Sequence, residues 1–168
     1  MNLVTVPGYF LHALSELRVS EVKGSDSNAR ILKYWNEART SLAVSTDETA
    51  WCAAFVGAML FRDGVEGTRK PNAKSYATWG DEWRGVGLGA VVVLHRKPPA
   101  PKWQGHVAFL AGLAGEYVYC LGGNQGDSVS IAAFPRSRVM TIRQPAGVVL
   151  PGSTFVLPPP SAVEPSDR

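Results

Sequence analysis

The stretch "GHVAFLAGLAGEYVYCLGGNQ", residues 105 to 125, decides the fold expected for this chain. It holds two short runs rich in β-branched and aromatic residues, 105–112 and 116–123, separated by small residues and glycine. Such runs between turn-forming residues are typical of β-strands joined in a hairpin. In an antiparallel hairpin the start of the first strand lies beside the end of the second. We therefore expect residues near 106 and 124 to be neighbours.

Similar runs on both sides of this hairpin extend the pattern. Further strands are predicted at 89–96, 128–134 and 137–144, and helices at 9–19, 28–38 and 49–63. Helices followed by strands predict an α+β fold, with N-terminal helices packed on one face of an antiparallel sheet of about five strands. One domain is expected over residues 1–150. The Pro-rich tail, 151–168, is expected to be disordered.

The composition is that of a globular protein and argues against several other classes of protein. Of 168 residues, 45% are hydrophobic, and 17 basic against 14 acidic side chains leave a net charge of +3. The basic residues are scattered, which argues against nucleic-acid binding. No apolar run approaches the roughly 18 residues of a membrane span, and the N-terminus does not resemble a signal peptide. Two cysteines are too few for a disulfide-stapled scaffold.

The segment "TDETAWCAAFVGAML", residues 46 to 60, places Cys52 where a polar cluster meets an apolar helix. Several residues before it could cap the helix, and Ser45 and Glu48 have the spacing of a capping box. Unpaired N–H groups and the positive end of the helix dipole would then favour a Cys52 thiolate. The alternative is a buried structural cysteine, which is the reading we favour for Cys120 on its predicted strand.

A nucleophilic cysteine needs a base, and the chain has three histidines. His12 lies in a helix beside apolar residues, and His95 ends a strand next to a basic loop. His106 instead begins the most hydrophobic strand, where its neighbours would hold it rigidly, as a catalytic base requires. The hairpin brings Asn124 next to His106, where its side-chain oxygen could accept the ring N–H. Gln125 is the second candidate for that role and Asp127 a weaker third.

Three motifs in order, "TDETAWCAAFVGAML", "WQGHVAFLAG" and "LGGNQGDSVSI", resemble those of a known enzyme group. This is the cysteine, histidine-dependent amidohydrolase/peptidase (CHAP) group with the related NlpC-type peptidases, which are papain-like enzymes of bacterial cell walls and phage lysins. The likeness covers roughly residues 10–145 and is greatest to a small single-domain subfamily of phages, prophages and proteobacteria. Ala50 departs from the pattern, because many relatives carry Pro there.

The resemblance implies a papain-like fold and a cysteine amidohydrolase or endopeptidase that cleaves an amide bond in peptidoglycan. It implies Cys52 as nucleophile, His106 as base and Asn124 as the orienting residue. Trp51, Trp79, Trp103 and Gln125 are expected to contact substrate; Tyr76 and Trp83 are further groove candidates. Neither metal nor cofactor is expected, and the protein is expected to be a monomer.

The expected partner is bacterial peptidoglycan, reached from the cytoplasm with a holin or a secretion apparatus, and an immunity protein is a further candidate partner. The alternative from another class is a catalytically silent papain-like module of a phage or a secretion system. A transferase or deamidase acting on another amide is a third reading, since papain-like sites support several acyl transfers.

Overall fold

The computed structural model describes residues 5–85, 87–148 and 150 of the chain. Within these residues three helices precede a six-stranded sheet. The helices are α1 (Gly8–Ser15), α2 (Ala29–Glu37) and α3 (Cys52–Arg62), and the strands are β1 (Asp81–Glu82), β2 (Val91–His95), β3 (Gly105–Ala114), β4 (Tyr117–Gly122), β5 (Ser130–Pro135) and β6 (Val139–Gln144). Two short 3₁₀ helices, Ala73–Thr78 and Arg136–Arg138, lie between them. The α+β class predicted from the sequence is confirmed.

The sheet departs from a simple meander. Its strand order is β1-β6-β2-β3-β4-β5, and every recorded pair is antiparallel. Strands β2 to β5 follow one another as expected, but β6 returns to pair with β2. The two-residue strand β1, which the sequence pattern did not indicate, pairs with β6 and makes the sixth strand.

The central hairpin forms as predicted between β3 and β4. Ala114 pairs with Tyr117 at the turn and Phe109 with Leu121 further along. Gly115 occupies the turn with a φ of 55°, a left-handed conformation that glycine adopts without steric cost. The hairpin therefore brings the start of β3 and the segment after β4 to the same end of the sheet.

The helices cover one face of the sheet and a smaller apolar cluster lies on the other. Helix α3 is almost wholly buried, with side chains from Cys52 through Leu60 inside the core. On the helix side it meets Val107 and Phe109 of β3. The second cluster contains Val92, Leu94, Ala108, Leu110, Val118, Cys120, Phe134 and Leu150. Buried side chains on both faces explain why β2 and β3 read as continuous apolar runs.

A charge network around the buried Glu16 carboxylate ties the three helices together. The Glu16 carboxylate accepts hydrogen bonds from Arg30 (2.7 Å), Arg62 (2.7 Å) and the Tyr34 hydroxyl (2.6 Å). Arg62 also pairs with Glu37 at 2.8 Å. These partners hold the pKa of Glu16 below its usual range although burial opposes this. Helix α1 ends at Ser15, earlier than the predicted residue 19. The next residue, Glu16, anchors α2 and α3 through Arg30 and Arg62.

The last described residue is Leu150, which is buried, and the tail predicted to be disordered (151–168) lies outside the described residues. Among the residues that the structure describes, no helix combines the length and apolarity needed to cross a membrane.

Candidate active site

Cys52 is the first residue of α3, but the cap predicted for this helix is not the one observed. The N-cap is Trp51, which makes no side-chain capping hydrogen bond, so the predicted box of Ser45 and Glu48 is wrong. Asp47 has a different role: it is fully buried, and its carboxylate accepts the N–H groups of Val22 and Asn28. These bonds fasten the segment before α3 to the loop before α2.

The Cys52 side chain is 7% exposed and lines a cavity of about 260 Å³. Burial raises the pKa of the Cys52 thiol, whereas N–H groups of Val107, Ala53 and Cys52 itself and the charge of Arg96 act to lower it. The preformed thiolate expected from the helix end is therefore not what this environment favours, since desolvation outweighs the local N–H groups. A thiol in this setting must give up its proton to a base when it reacts.

His106 begins the buried part of β3 and is 2% exposed. Its ring packs against Phe134 of β5, with ring centroids 5.4 Å apart and planes inclined by 33°. Its Nε2 lies 3.0 Å from the side-chain oxygen Oε1 of Gln125. The ring is thus held by packing and by a hydrogen bond, which is the rigidity expected of a catalytic base.

The Gln125 side chain is itself fixed by β4 and β5. Its Nε2 donates to the carbonyl oxygens of Cys120 (3.2 Å) and Ser130 (2.8 Å). Because the amide nitrogen is used by carbonyl acceptors, the amide oxygen must be the atom that faces His106. An acceptor at that position requires a proton on Nε2 of His106. In the neutral ring Nδ1 then carries the lone pair and is the basic nitrogen.

Two glycines before Gln125 let its side chain reach the ring. A Cβ at Gly122 would meet Ala108 Cβ at 2.8 Å, and one at Gly123 would meet Phe55 Cβ at 2.7 Å. Both contacts are closer than real side chains allow. The glycine pair therefore brings the chain against β3 on one side and α3 on the other.

Asn124 was the predicted orienting residue, and the structure assigns the observed His106 hydrogen bond to the next residue. Asn124 is 3% exposed, with a φ of 58° in the left-handed region that asparagine tolerates better than most residues. The backbone therefore turns at the residue that precedes Gln125. Asn124 itself lines a second groove of about 730 Å³ together with Glu21, Glu48 and Asp127.

The side chains of Cys52 and His106 lie on opposite faces of β3, Cys52 on the face covered by the helices and His106 on the other. Side chains alternate along a strand, so Val107 and Phe109 face the helices whereas His106 joins the second cluster through Phe134. Cys52 comes from the helix side. An approach of the Cys52 sulfur to the His106 ring is therefore open only at an edge of the strand.

The edge of β3 away from β2 offers this meeting point. The Leu110 N–H donates to Ala90 on the β2 side at 2.7 Å, so by alternation the Val107 N–H points away from β2. This is the N–H group that lowers the pKa of Cys52. The recorded β3–β4 pairing ends at Phe109 and leaves this edge to α3. The structure thus brings Cys52 to the residue that follows His106.

The predicted tryptophans do not form one groove. Trp51, expected to contact substrate, is fully buried in the described structure, and its indole N–H donates to Glu21. Trp79 packs at the edge of the helix-side core and donates to the Glu66 carbonyl. Trp103 is different, because it is 70% exposed and lines the cavity that contains Cys52.

The other groove candidates also pack inward. Tyr76 is 1% exposed, and Trp83 packs against the second cluster. Cys120 is a free, fully buried cysteine, and burial raises the pKa of its thiol to about 12, as a structural role predicts. His95 is exposed at the end of β2. Of the three histidines, His106 alone is deeply buried.

One residue of the cavity was missed from the sequence. Arg96 follows β2, lines the cavity beside Cys52 and donates to Gln104 at 3.1 Å. The signal for it was weak: a basic residue next to the loop "KPPAPKW" that precedes His106. Within the described part of the chain, no group of three or more His, Cys, Asp or Glu side chains is placed to hold a metal ion.

No protein-family model matches the chain, and no curated protein is found to be similar to it. Function is therefore inferred from the site geometry and from the order of the three motifs.

Proposed function

We propose that the protein is a papain-like cysteine amidohydrolase or endopeptidase that cleaves an amide bond in bacterial peptidoglycan. The observation that carries the proposal is the juxtaposition at the β3 edge. Cys52 opens a buried helix, lines a cavity and meets the residue after His106, whose ring is held by Gln125. A nucleophile, a rigid base and a group that orients the base are the parts that thiol acyl transfer requires.

The reaction begins with a proton transfer within the pair. Nδ1 of His106 takes the Sγ proton of Cys52 as the sulfur attacks the amide carbonyl carbon of the substrate. The resulting imidazolium is stabilised because Gln125 accepts its Nε2–H. A base acting at the moment of attack suits a thiol whose pKa is raised by burial.

Collapse of the tetrahedral intermediate completes the first half of the reaction. His106 returns its proton to the amide nitrogen, the C–N bond breaks, and the amine leaves while the acyl group stays on sulfur. In the second half His106 removes a proton from water, which attacks the thioester and releases a carboxylic acid and the free thiol. The N–H groups of Ala53 and Val107 at the sulfur are candidates to stabilise the oxyanion.

Peptidoglycan as the substrate is inferred from the three motifs and from the exposed Trp103 on the cavity wall. An exposed indole offers a flat surface on which a sugar ring or a stem peptide packs. Delivery to the wall by a holin or a secretion apparatus belongs to the same proposal.

Zymography on purified peptidoglycan tests the proposal with the wild type, Cys52→Ala and His106→Ala. We expect clearing by the wild type and none by either variant. Mass spectrometry of the released fragments then identifies the bond that is cut. Clearing by Cys52→Ala equal to that by the wild type would exclude a cysteine mechanism.

A catalytically silent module is the second candidate, and one observation favours it. Cys52 is nearly buried and its pKa is raised, which is also what a structural cysteine would show. A silent module would bind peptidoglycan in a pull-down assay without releasing fragments, and Cys52→Ala would bind equally well.

A further inference from the structure

The cavity beside Cys52 has a chemical character that the hydrolytic reaction does not require. Its lining includes Cys52, Asn72, Arg96, Trp103 and Gln104. None of these is acidic, and Arg96 is the charged member of the set. The rest of the lining is mostly apolar or amide. A single cation in such a lining is a typical anchor for an anionic group of a ligand.

The guanidinium of Arg96 is held in position at this wall. Its Nη1 donates to the Gln104 side chain at 3.1 Å, and its charge acts on the Cys52 sulfur. The side chain is only partly buried, so a ligand can reach it. Arginine binds a carboxylate through two parallel N–H groups, which gives direction as well as charge. A carboxylate bound here would lie near the amide bond that Cys52 attacks.

The basic character continues at the cavity edge and is reversed elsewhere in the structure. The Lys74 stem packs against Gly105, where an added Cβ would lie 2.9 Å from Lys74 Cγ. A separate groove is instead lined by Glu21, Glu48 and Asp127, with Lys23. A carboxylate-bearing segment is therefore favoured beside Arg96 and disfavoured in that groove.

We propose that this cavity is a subsite for a carboxylate-bearing residue of the substrate close to the scissile amide, with Arg96 as the carboxylate-binding group and Trp103 as an apolar wall. The inference rests on the proposed function and narrows its substrate to acidic stem peptides. Amidation of the stem-peptide carboxylates removes the group that Arg96 recognises. The protein then discriminates between acidic and amidated walls.

The test compares two stem tetrapeptides of identical sequence, one with its carboxylates free and one with every carboxylate converted to a carboxamide. For the wild type we expect kcat/KM to favour the acidic peptide by about 10- to 100-fold, the range of charge-assisted hydrogen bonds. Arg96→Gln should bring the ratio of kcat/KM for the acidic peptide to kcat/KM for the amidated peptide close to one.

Arg96→Lys keeps the charge but not the paired N–H groups, and its kcat/KM ratio should lie between those of the wild type and Arg96→Gln. Lys102→Gln removes an equal charge outside the cavity lining and should leave the ratio as in the wild type.

The result differs if Arg96 acts only through its charge on the Cys52 thiol and binds no carboxylate. Arg96→Gln would then lower the rates on both peptides by the same factor and leave their ratio unchanged, which overturns the subsite. The rate of Cys52 alkylation by uncharged iodoacetamide measures this effect on thiol reactivity separately, because the reagent carries no carboxylate. A wild type that cleaves both peptides equally through Cys52 also overturns the subsite while the proposed hydrolase stands.

Binding to Cys52→Ala decides the case in which no peptide is cleaved. Chemical-shift titration with the two tetrapeptides should show tighter binding of the acidic one, abolished in Cys52→Ala/Arg96→Gln. That result supports the subsite even if the hydrolase proposal fails. Equal binding of the two peptides, or no binding of either, overturns the proposed subsite.

Discussion

The side-chain oxygen of Gln125 lies 3.0 Å from Nε2 of His106, and both side chains are buried. The amide nitrogen of Gln125 is used by two main-chain carbonyls, so its oxygen can only face the ring. This relationship fixes the tautomer of His106 and leaves Nδ1 as the basic atom. Gln125, the second candidate for the orienting role after Asn124, is therefore the residue that we propose to orient His106.

Replacing Gln125 should impair catalysis more than replacing Asn124. Gln125→Ala removes the acceptor for the His106 N–H, and we expect kcat to fall about tenfold to a few hundredfold, because general-base contributions are of the order of 10²–10⁴. KM and the circular dichroism spectrum should change little. Steady-state kinetics on fragments of peptidoglycan measure the effect.

Asn124→Gly is the matched control for this change. Glycine adopts the left-handed φ of 58° at position 124 without strain, so the variant removes the side chain and keeps the turn. We expect its kcat to stay within a few-fold of the wild type. A silent Gln125→Ala together with an inactive Asn124→Gly would return the orienting role to Asn124.

Alkylation should distinguish the two cysteines. Iodoacetamide should label Cys52 much faster than Cys120, because Cys52 lines a cavity whereas Cys120 is fully buried with its pKa raised to about 12. Since burial also raises the pKa of Cys52, its labelling rate should still increase with pH where an ordinary thiol has levelled off. Peptide mapping of folded protein at several pH values measures both rates. Equal rates for the two cysteines would contradict the cavity position of Cys52.

The fold was predictable where local periodicity decides it. Five strands and three helices lie close to their predicted ranges, since each is a short run with one period and a turn residue at its end. The return of β6 to β2 was not predictable in this way. Its pairing joins Val91 to Arg143, far apart in the chain, and no local pattern encodes that choice.

The positions of the candidate site residues could be predicted only in part from the sequence. Cys52 and His106 were indicated by polar or reactive residues at the start of apolar elements, and their positions follow from the helix start and the strand start. The orienting residue was assigned from an extended register, but the chain leaves that register at Asn124, where φ becomes positive. Arg96 was missed because a cavity lining joins segments that sequence spacing does not connect.

The charge network around Glu16 should contribute to stability. Glu16→Ala removes the acceptor of the buried Tyr34 hydroxyl and one of the two carboxylates that bind Arg62, whereas Glu37 still pairs with Arg62 at 2.8 Å. We expect a loss of about 1–3 kcal/mol in the free energy of unfolding, the cost of leaving a buried polar group without its partner. Arg69→Ala is the control, because it breaks the exposed pair with Glu66 and should cost at most about 1 kcal/mol. Urea unfolding of both variants measures the difference, and similar losses would show that the network contributes little.

Stability should fall at alkaline pH through the buried thiol of Cys120. Its pKa is raised from 9.0 to about 12 by burial, so above pH 9 the unfolded chain releases a proton that the folded protein keeps. The unfolded state then binds fewer protons, and the free energy of unfolding decreases as pH rises, by up to about 1.4 kcal/mol per pH unit for this group. Below pH 9 its contribution is fully present.

Cys120→Ala removes this titration and isolates the contribution. At pH 7 we expect the variant to be less stable than the wild type, by about 1 kcal/mol for the lost buried sulfur. Between pH 9 and 10 the difference should shrink, because only the wild type still loses stability at position 120. Buried Tyr9, Tyr34 and Tyr76 also have raised pKa values and steepen the decline in both proteins, so they do not affect the comparison.

Urea unfolding of the wild type and Cys120→Ala under a reducing agent at pH 7, 9 and 10 gives the difference in stability at each pH. A difference that stays constant from pH 7 to 10 would mean that the Cys120 thiol ionises equally easily in the folded and unfolded protein, against its position in the second cluster beside Phe134.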